Sequence, residues 1–337
     1  MRIFLAKGIL FLIGSILIAQ GLSLVATTLQ FDVATDYRLQ VNQFRQQLSE
    51  IELVTLGNSH NLAVDLNEFD QKGYHLWRDA GDFFEIQYLA DHLVYDSSSI
   101  ETVLIPASFF AFHIQKSAWE KLRENRQALY TVIPSWNFID GQLKEFILGK
   151  IYVVFPVETL VREDHWERVI QSIFDKSFRT ADKFRGKDGQ EIVERYQKCE
   201  YKEFDELVTF TKEIGIPEHT NGQNRSLEMN PNLPADSYAA AVRIIQKLRA
   251  RNIRVVFYTP PYFEMYNELY DKETVATMKA YMARLQQAHG VEYYDFSNDP
   301  QFVRNNRLFY DDDHLNRCGA KIFSAKLNQI LIANAPE

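Results

Sequence analysis

The chain has 337 residues, 46% of them hydrophobic and 24% charged, enough for one large core or for a domain carrying a sizeable insertion. Its formal net charge is −8 and no dense run of Lys and Arg occurs, which excludes the broad cationic surface that nucleic-acid binding needs. Two cysteines, Cys199 and Cys318, show no C-x-x-C spacing and do not make a zinc framework; unpaired thiols are expected unless the chain meets an oxidising compartment.

The first element is apolar. From Gly8 through Phe31 no charged residue occurs, and a helix of those 24 residues would be about 36 Å long, enough to cross a bilayer core of about 30 Å. Arg2 and Lys7 precede it and Asp32 follows. The positive-inside rule therefore keeps the N-terminus in the cytoplasm and sends the remainder across the inner membrane, toward the periplasm. Its length favours a retained single-pass anchor (1–31) over a cleaved leader, for which Ala19-Gln20-Gly21 offers a small-residue site. A polar stretch with spaced apolar residues follows as a short helical neck (32–50).

IELVTL, Ile51 to Leu56, reads as a buried strand ending in Gly57. A helix is expected around Leu62 to Phe69 and a second strand near Tyr74 to Trp77. Another helix spans Phe83 to Val94 with Asp82 as its N-cap, and a third strand covers Glu101 to Ala107. The region 112–234 is charged and aromatic, with irregular helical patterning clearest in WEKLRENRQAL and HWERVIQSIFDKSF. It reads as a mostly helical insertion within a domain of residues 51–335, and Asn221 to Asn230 as a polar surface loop bearing Arg225.

Order then returns. Ser237 to Asn252 places Ala241, Ile244, Ile245 and Leu248 on one helical face. IRVVFYTPP is a strand stopped by two prolines, and the helix TVATMKAYMARLQQAH is closed by Gly290. VEYYDF is a further strand, and Asn316 caps a terminal helix bearing Ala320, Phe323, Leu327 and Ile330. Helices alternating with apolar strands predict an α/β fold, a doubly wound parallel sheet covered on both faces.

In such a sheet ligands bind beyond the carboxyl ends of the strands. Ser59 follows the first strand, Gly81 the second and Ser108 the third, while Asp311 and His314 lie in a loop before the last helix. A serine hydroxyl needs a base within hydrogen-bond reach, and an imidazole oriented by a carboxylate supplies one. The D-x-x-H spacing lets one tight loop present both groups. Backbone N–H groups at Ser59 and Gly81 are then candidates for holding an oxyanion. His60, beside Ser59, reads as a structural or substrate-contacting group, and Asp312 and Asp313 as solvated or loop-capping. Tyr258, Pro260, Pro261 and Tyr262 form a rigid turn, either packing or a pocket wall. The histidines show no ligand spacing such as H-x-x-x-H and no phosphate-binding glycine loop occurs, so neither a metal nor a cofactor is expected.

Gly57-Asn58-Ser59-His60, Gly81, and D-D-D-H-L-N-x-x-G-A from Asp311 to Ala320 together resemble the SGNH (GDSL-like) hydrolase superfamily. The likeness is nearer its membrane-anchored branch, which includes alginate O-acetyltransferase accessory proteins and the D-alanyl transfer protein of teichoic acid synthesis. It covers roughly residues 50 to 110 and 235 to 332. It implies Ser59 as nucleophile, His314 as base, Asp311 as its orienting partner, and the Ser59 N–H with Gly81 in the oxyanion hole. Two positions depart from the pattern: Asn58 stands where Asp is common, and Ser108, in ASFF, where Asn commonly completes the hole. The resemblance further implies an extracytoplasmic acyltransferase or esterase acting on an envelope polysaccharide, with a membrane-bound O-acyltransferase as partner. The alternatives are a free-standing esterase and a non-catalytic, membrane-tethered assembly or glycan-binding component.

Overall fold

The computed structural model describes residues 33–77, 81–116 and 198–334, with Gly14, Leu129 and Ile133 besides. The apolar stretch Gly8 to Phe31, proposed above as a membrane span, lies outside these residues apart from Gly14. No helix among the described residues is long and apolar enough to cross a membrane. The helical patterns of WEKLRENRQAL and HWERVIQSIFDKSF also lie outside them, Leu129 excepted. The chain divides into two compact units, and apart from residues 33–42 everything described below belongs to the one built from Gln43–Leu122 and Gly186–Glu337.

Five strands form a wholly parallel sheet: β1 (Leu53–Gly57), β2 (Gly73–Trp77), β3 (Thr102–Pro106), β4 (Arg254–Thr259) and β5 (Glu292–Asp295). Their spatial order is β2-β1-β3-β4-β5. The strands are short apolar runs, as burial on both faces demands, and β1 and β3 are buried throughout. Two-residue alternation divides their side chains between two helical layers. Leu53, Leu104, Val256 and Tyr258 pack with Phe323 and Leu327 of the terminal helix, α8 (Arg317–Ala333). On the other face Phe257 meets Phe83 of α2 (Phe83–Leu89), their ring centroids 6.4 Å apart. α1 is Val33–Gln47.

The caps read from sequence at Asp82 and Asn316 are present, and Asp271 adds one that the sequence pattern does not single out. Asp82 Oδ1 accepts the Glu85 N–H at 2.9 Å, Asn316 Oδ1 the Gly319 N–H at 3.0 Å, and Asp271 Oδ2 the Thr274 N–H at 2.7 Å at the start of α7 (Lys272–His289). Gly290 ends α7 in the left-handed conformation, φ 59° and ψ 27°. The expected helix around Leu62 to Phe69 is instead two short tight turns, Ser59–Ala63 and Leu66–Glu68. Asn58 and Asp65 bond their own backbone two residues on, which favours a turn over a continuing helix.

The stretch 221–230 is not a loop. Residues 221–229 are the last two-thirds of α4 (Ile216–Met229) and Asn230 is its C-cap; the helix follows α3 (Phe204–Phe210) through a widened turn at Thr211–Gly215. These helices join the core: Leu207 packs with Phe309 and Phe263, and the Ser226 hydroxyl accepts the Gln115 N–H at 3.1 Å. α5 (Leu233–Arg249) and α6 (Glu264–Leu269) flank β4 in the chain.

The cysteines correct the expectation of free thiols. Cys199 and Cys318 form a disulfide with Cα atoms 5.2 Å apart, closing a sequence separation of 119 residues. Beside it the Arg317 N–H donates to Lys198 O at 3.3 Å, and Asn316 Nδ2 to Glu200 O at 2.9 Å. The segment that carries Cys199 is thus laced to the first turn of α8. Replacing both cysteines with Ser is expected to lower the unfolding free energy by about 2–4 kcal/mol, mostly by relaxing the constraint on the unfolded chain. Denaturant titration of oxidised, reduced and double-Ser protein checks this, and three coincident curves would contradict it.

Candidate active site

The chain leaves β1 for β2 on one side and later returns to β3 on the other, so the connections after β1 and β3 diverge and open a crevice between them. Ser59 stands two residues past β1, and Ser108 two residues past β3, on the two lips of this opening. Gly57 allows the lips to close up. A Cβ there would lie 2.7 Å from the Pro106 ring, which no side chain could tolerate.

His314 arrives from the far end of the chain. Phe309 and Leu315 pair as an isolated antiparallel bridge, and the Tyr310 N–H donates to His314 O at 2.9 Å. The intervening residues form a pinched loop, capped within by Asp311, whose Oδ1 accepts the His314 N–H at 2.9 Å. Its geometry delivers what the spacing predicts. His314 Nε2 lies 2.8 Å from Ser59 Oγ, and Nδ1 lies 2.8 Å from Asp311 Oδ1. The Ser59 hydroxyl donates to Nε2 while Nδ1 carries the proton shared with the carboxylate, the tautomer a general base requires. Ser59 is partly exposed and the His314 side chain is 15% exposed, so the pair is open to a substrate.

Behind this row stands a second one. Asp313 Oδ1 is also 2.8 Å from His314 Nδ1, and its Oδ2 is 3.0 Å from His60 Nε2. Because a carboxylate only accepts, Nε2 of His60 bears the ring proton, and Nδ1 takes the proton of the Ser108 hydroxyl, to which it is closely bonded. Asn58 Nδ2 donates to the same Ser108 oxygen at 3.2 Å, and Asn58 Oδ1 accepts the His60 N–H at 3.0 Å. His219, on α4, brings Nε2 to 3.6 Å from Asp313 Oδ2 while its Nδ1 lies 2.9 Å from the Tyr266 hydroxyl.

The electrostatics follow from burial. His60 is pushed down toward the neutral form by desolvation, against the pull of Asp313. Burial works to raise the Asp313 carboxyl, but the imidazoles of His314, His219 and His60 outweigh it and hold the group well below the usual carboxylate range. Asp312 goes the other way. Burial first, then the charges of Asp313 and Asp311, push it up to about 9, and its Oδ2 has no hydrogen-bond partner. Its carboxyl packs against Gly215, where a Cβ would come within 2.1 Å of Oδ2. Tyr258, Tyr262 and Tyr266 are raised well above 10 by burial and stay protonated.

Of the residues expected at the site, Ser59, His314, Asp311, Asn58, His60 and Ser108 come together. Gly81 is buried just ahead of the α2 cap, and no hydrogen bond joins it to Ser59. Ser108 is corrected in role, since its one proton goes to His60 and is not presented to an oxyanion. Asp312 and Asp313 are corrected too: both are buried rather than solvated. The Tyr258 turn is packing, with the hydroxyl 3.2 Å from Asn61 Oδ1 and the side chain buried under the Ser59 turn. His219 was missed. It lies on a polar helix with no motif around it, and only the fold brings it to Asp313. His60, Asp313 and His314 bring one ligand atom each within 4.8 Å of one another, as do Asp311, Asp312 and Asp313. In the first group hydrogen bonds to the carboxylate account for the spacing.

No model of a known protein family matches this chain, and no curated protein matches it.

The raised Asp312 carboxyl gives a pH signature. The folded state binds its proton more tightly than the unfolded chain, so the associated stability is complete below about pH 4 and is lost as pH rises toward 9. Asp312→Asn has no proton to lose. Its stability relative to the parent protein is expected to rise steadily between about pH 4 and pH 9, read from urea midpoints of both proteins at several pH values. A difference that stays flat across that range would contradict the assignment.

Proposed function

We propose that this chain is a serine acyltransferase or esterase of SGNH-like architecture, working on O-acyl groups of an envelope polysaccharide or related polymer. The observation that carries the reading is the Ser59–His314–Asp311 row, assembled across 255 residues with both contacts at 2.8 Å. In the first half-reaction the Ser59 hydroxyl passes its proton to His314 Nε2 as Oγ attacks the acyl carbonyl. The tetrahedral intermediate collapses, the C–O bond to the donor alcohol breaks, and the alcohol leaves with the proton from His314. In the second, His314 takes a proton from an acceptor hydroxyl or water, whose oxygen attacks the acyl-serine and frees Ser59.

Transfer is favoured over rapid hydrolysis by a specific feature. With the Ser108 proton spent on His60, the side chain that could complete the oxyanion hole is committed elsewhere, leaving backbone N–H groups such as that of Ser59. A hole of reduced strength slows attack by any nucleophile, and an acceptor hydroxyl bound beside Ser59 then outcompetes water through its effective concentration. The Cys199–Cys318 disulfide supports an extracytoplasmic setting, since such bonds persist in oxidising compartments. The uncharged stretch from Gly8 to Phe31, with Arg2 and Lys7 before it, supports a single-pass anchor in the inner membrane with the N-terminus inside. A membrane-bound O-acyltransferase is the partner we infer as the source of acyl groups.

Exposing the full-length protein in detergent to an activated acetyl ester is expected to add one acetyl group, located on Ser59 by peptide mapping. Ser59→Ala should gain none. An unmodified Ser59, or an equal adduct in the variant, would favour a non-catalytic, membrane-tethered component instead.

A further inference from the structure

His314 Nδ1 has one proton and two carboxylates at the same distance, so the D-x-x-H spacing does not by itself say which one governs the imidazole. Four observations separate them. The Asp311 oxygen that faces Nδ1 already accepts the His314 N–H at 2.9 Å and approaches the Asp313 N–H at 3.4 Å, the bonds of a side chain that closes its own loop. Its side chain is also the more exposed, 14% against 4% for Asp313, so water screens its charge more.

The other two concern what stands behind Asp313. Its second oxygen takes the Nε2–H of His60, and the Nε2 of His219 faces the same oxygen. Each of these rings is then locked from its far side by a hydroxyl, Ser108 on His60 Nδ1 and Tyr266 on His219 Nδ1. Neither ring can turn its bare nitrogen to Asp313 without breaking that bond. The remaining titratable groups facing Asp313 are Asp311 and Asp312 on its own loop and Tyr262, Tyr266 and Tyr270 around α6.

We propose that Asp313, rather than Asp311, is the positioning residue that holds the proton on His314 Nδ1 and balances the imidazolium formed when Ser59 attacks. His60 and His219 serve it as tautomer-locked N–H donors. The site is thus a branched relay, with Ser59–His314 at its open end and Ser108–His60 and Tyr266–His219 buried behind a shared carboxylate. This rests on Ser59 being the nucleophile, and Asp311 becomes the residue that shapes the loop.

The test is the rate at which a fluorophosphonate probe labels Ser59 of the full-length protein, measured against pH. Asp313→Asn is expected to slow labelling on the order of a hundredfold or more, because the imidazolium loses its buried counter-charge. The midpoint of the acidic limb should also move down by about one pH unit or more, since a removed negative charge makes the imidazole easier to deprotonate. Asp311→Asn should cost about tenfold and leave the midpoint in place. The reverse ranking, or equal losses with equal shifts, overturns the proposal. A wild-type protein whose Ser59 never labels counts against the acyl-transfer reading instead. Nitrogen-15 spectra of the histidine rings in the wild type decide the matter if that happens, or if Asp313→Asn does not fold. In their neutral forms His60 and His219 should carry the ring proton on Nε2, and the Nδ1–H tautomer at either ring overturns the proposal.

Discussion

A carboxylate shut away from water must recover its lost hydration from fixed donors or give up its charge. Asp312 and Asp313, neighbours on one loop, take the two available outcomes. Asp313 is ringed by three imidazoles and stays ionised; Asp312 has an unpartnered oxygen against Gly215 and holds its proton. Each choice supports the other, because a second buried negative charge beside Asp313 would be unfavourable. The placement of His60, His219 and His314 is the geometric consequence, and much of the surrounding structure is what holds those three rings in place.

Three separate parts of the chain supply them, and a different constraint fixes each. His60 comes with the turn after β1, where Asn58 caps the turn and also bonds Ser108 across the crevice. His219 comes with α4, anchored by the Gln223 amide on Tyr270 and by Ser226 on the chain after β3. His314 comes with the pinched loop ahead of α8. There Asn316 caps the helix with its oxygen and ties the loop to Glu200 and Arg307 with its amide nitrogen. The disulfide at Cys318, four residues past His314, fastens the same end again.

The legible part of this arrangement was the part encoded at short range. Strands β1, β3 and β4 announce themselves as apolar runs closed by Gly or Pro, and Asp82, Asn316 and Gly290 mark helix ends where their side-chain or backbone chemistry places them. Ser59, Asp311 and His314 were legible because a three-residue spacing and a strand end carry their geometry. His219 and the charge state of Asp313 were not, since both depend on a long-range meeting between α4 and the loop before α8. The same holds for Cys199 and Cys318, whose pairing needs 119 residues to return the chain to one point. Asp313 was misjudged because a run of three acids suggests solvation, whereas the imidazoles that bury it come from elsewhere. The helix expected around Leu62 to Phe69 gives way to short turns because Asp65, like Asn58 before it, satisfies the backbone locally.

Exposure falls in one direction through the site, and that gradient bears on what the site can accept. Ser59, His314 and Asp311 are partly exposed, whereas Asp313, His60 and Ser108 are buried. A reacting acyl group can therefore approach only at Ser59. Ser108, despite its own imidazole and carboxylate, has no such access and acts through His60 as a lock on the ring. Water is kept from the relay and left at the nucleophile, so the rim must select what attacks the acyl-serine. Placing the acceptor hydroxyl there, ahead of competing water, is a task for surface bordering Ser59, and the buried row behind it has only to keep one imidazole correctly protonated.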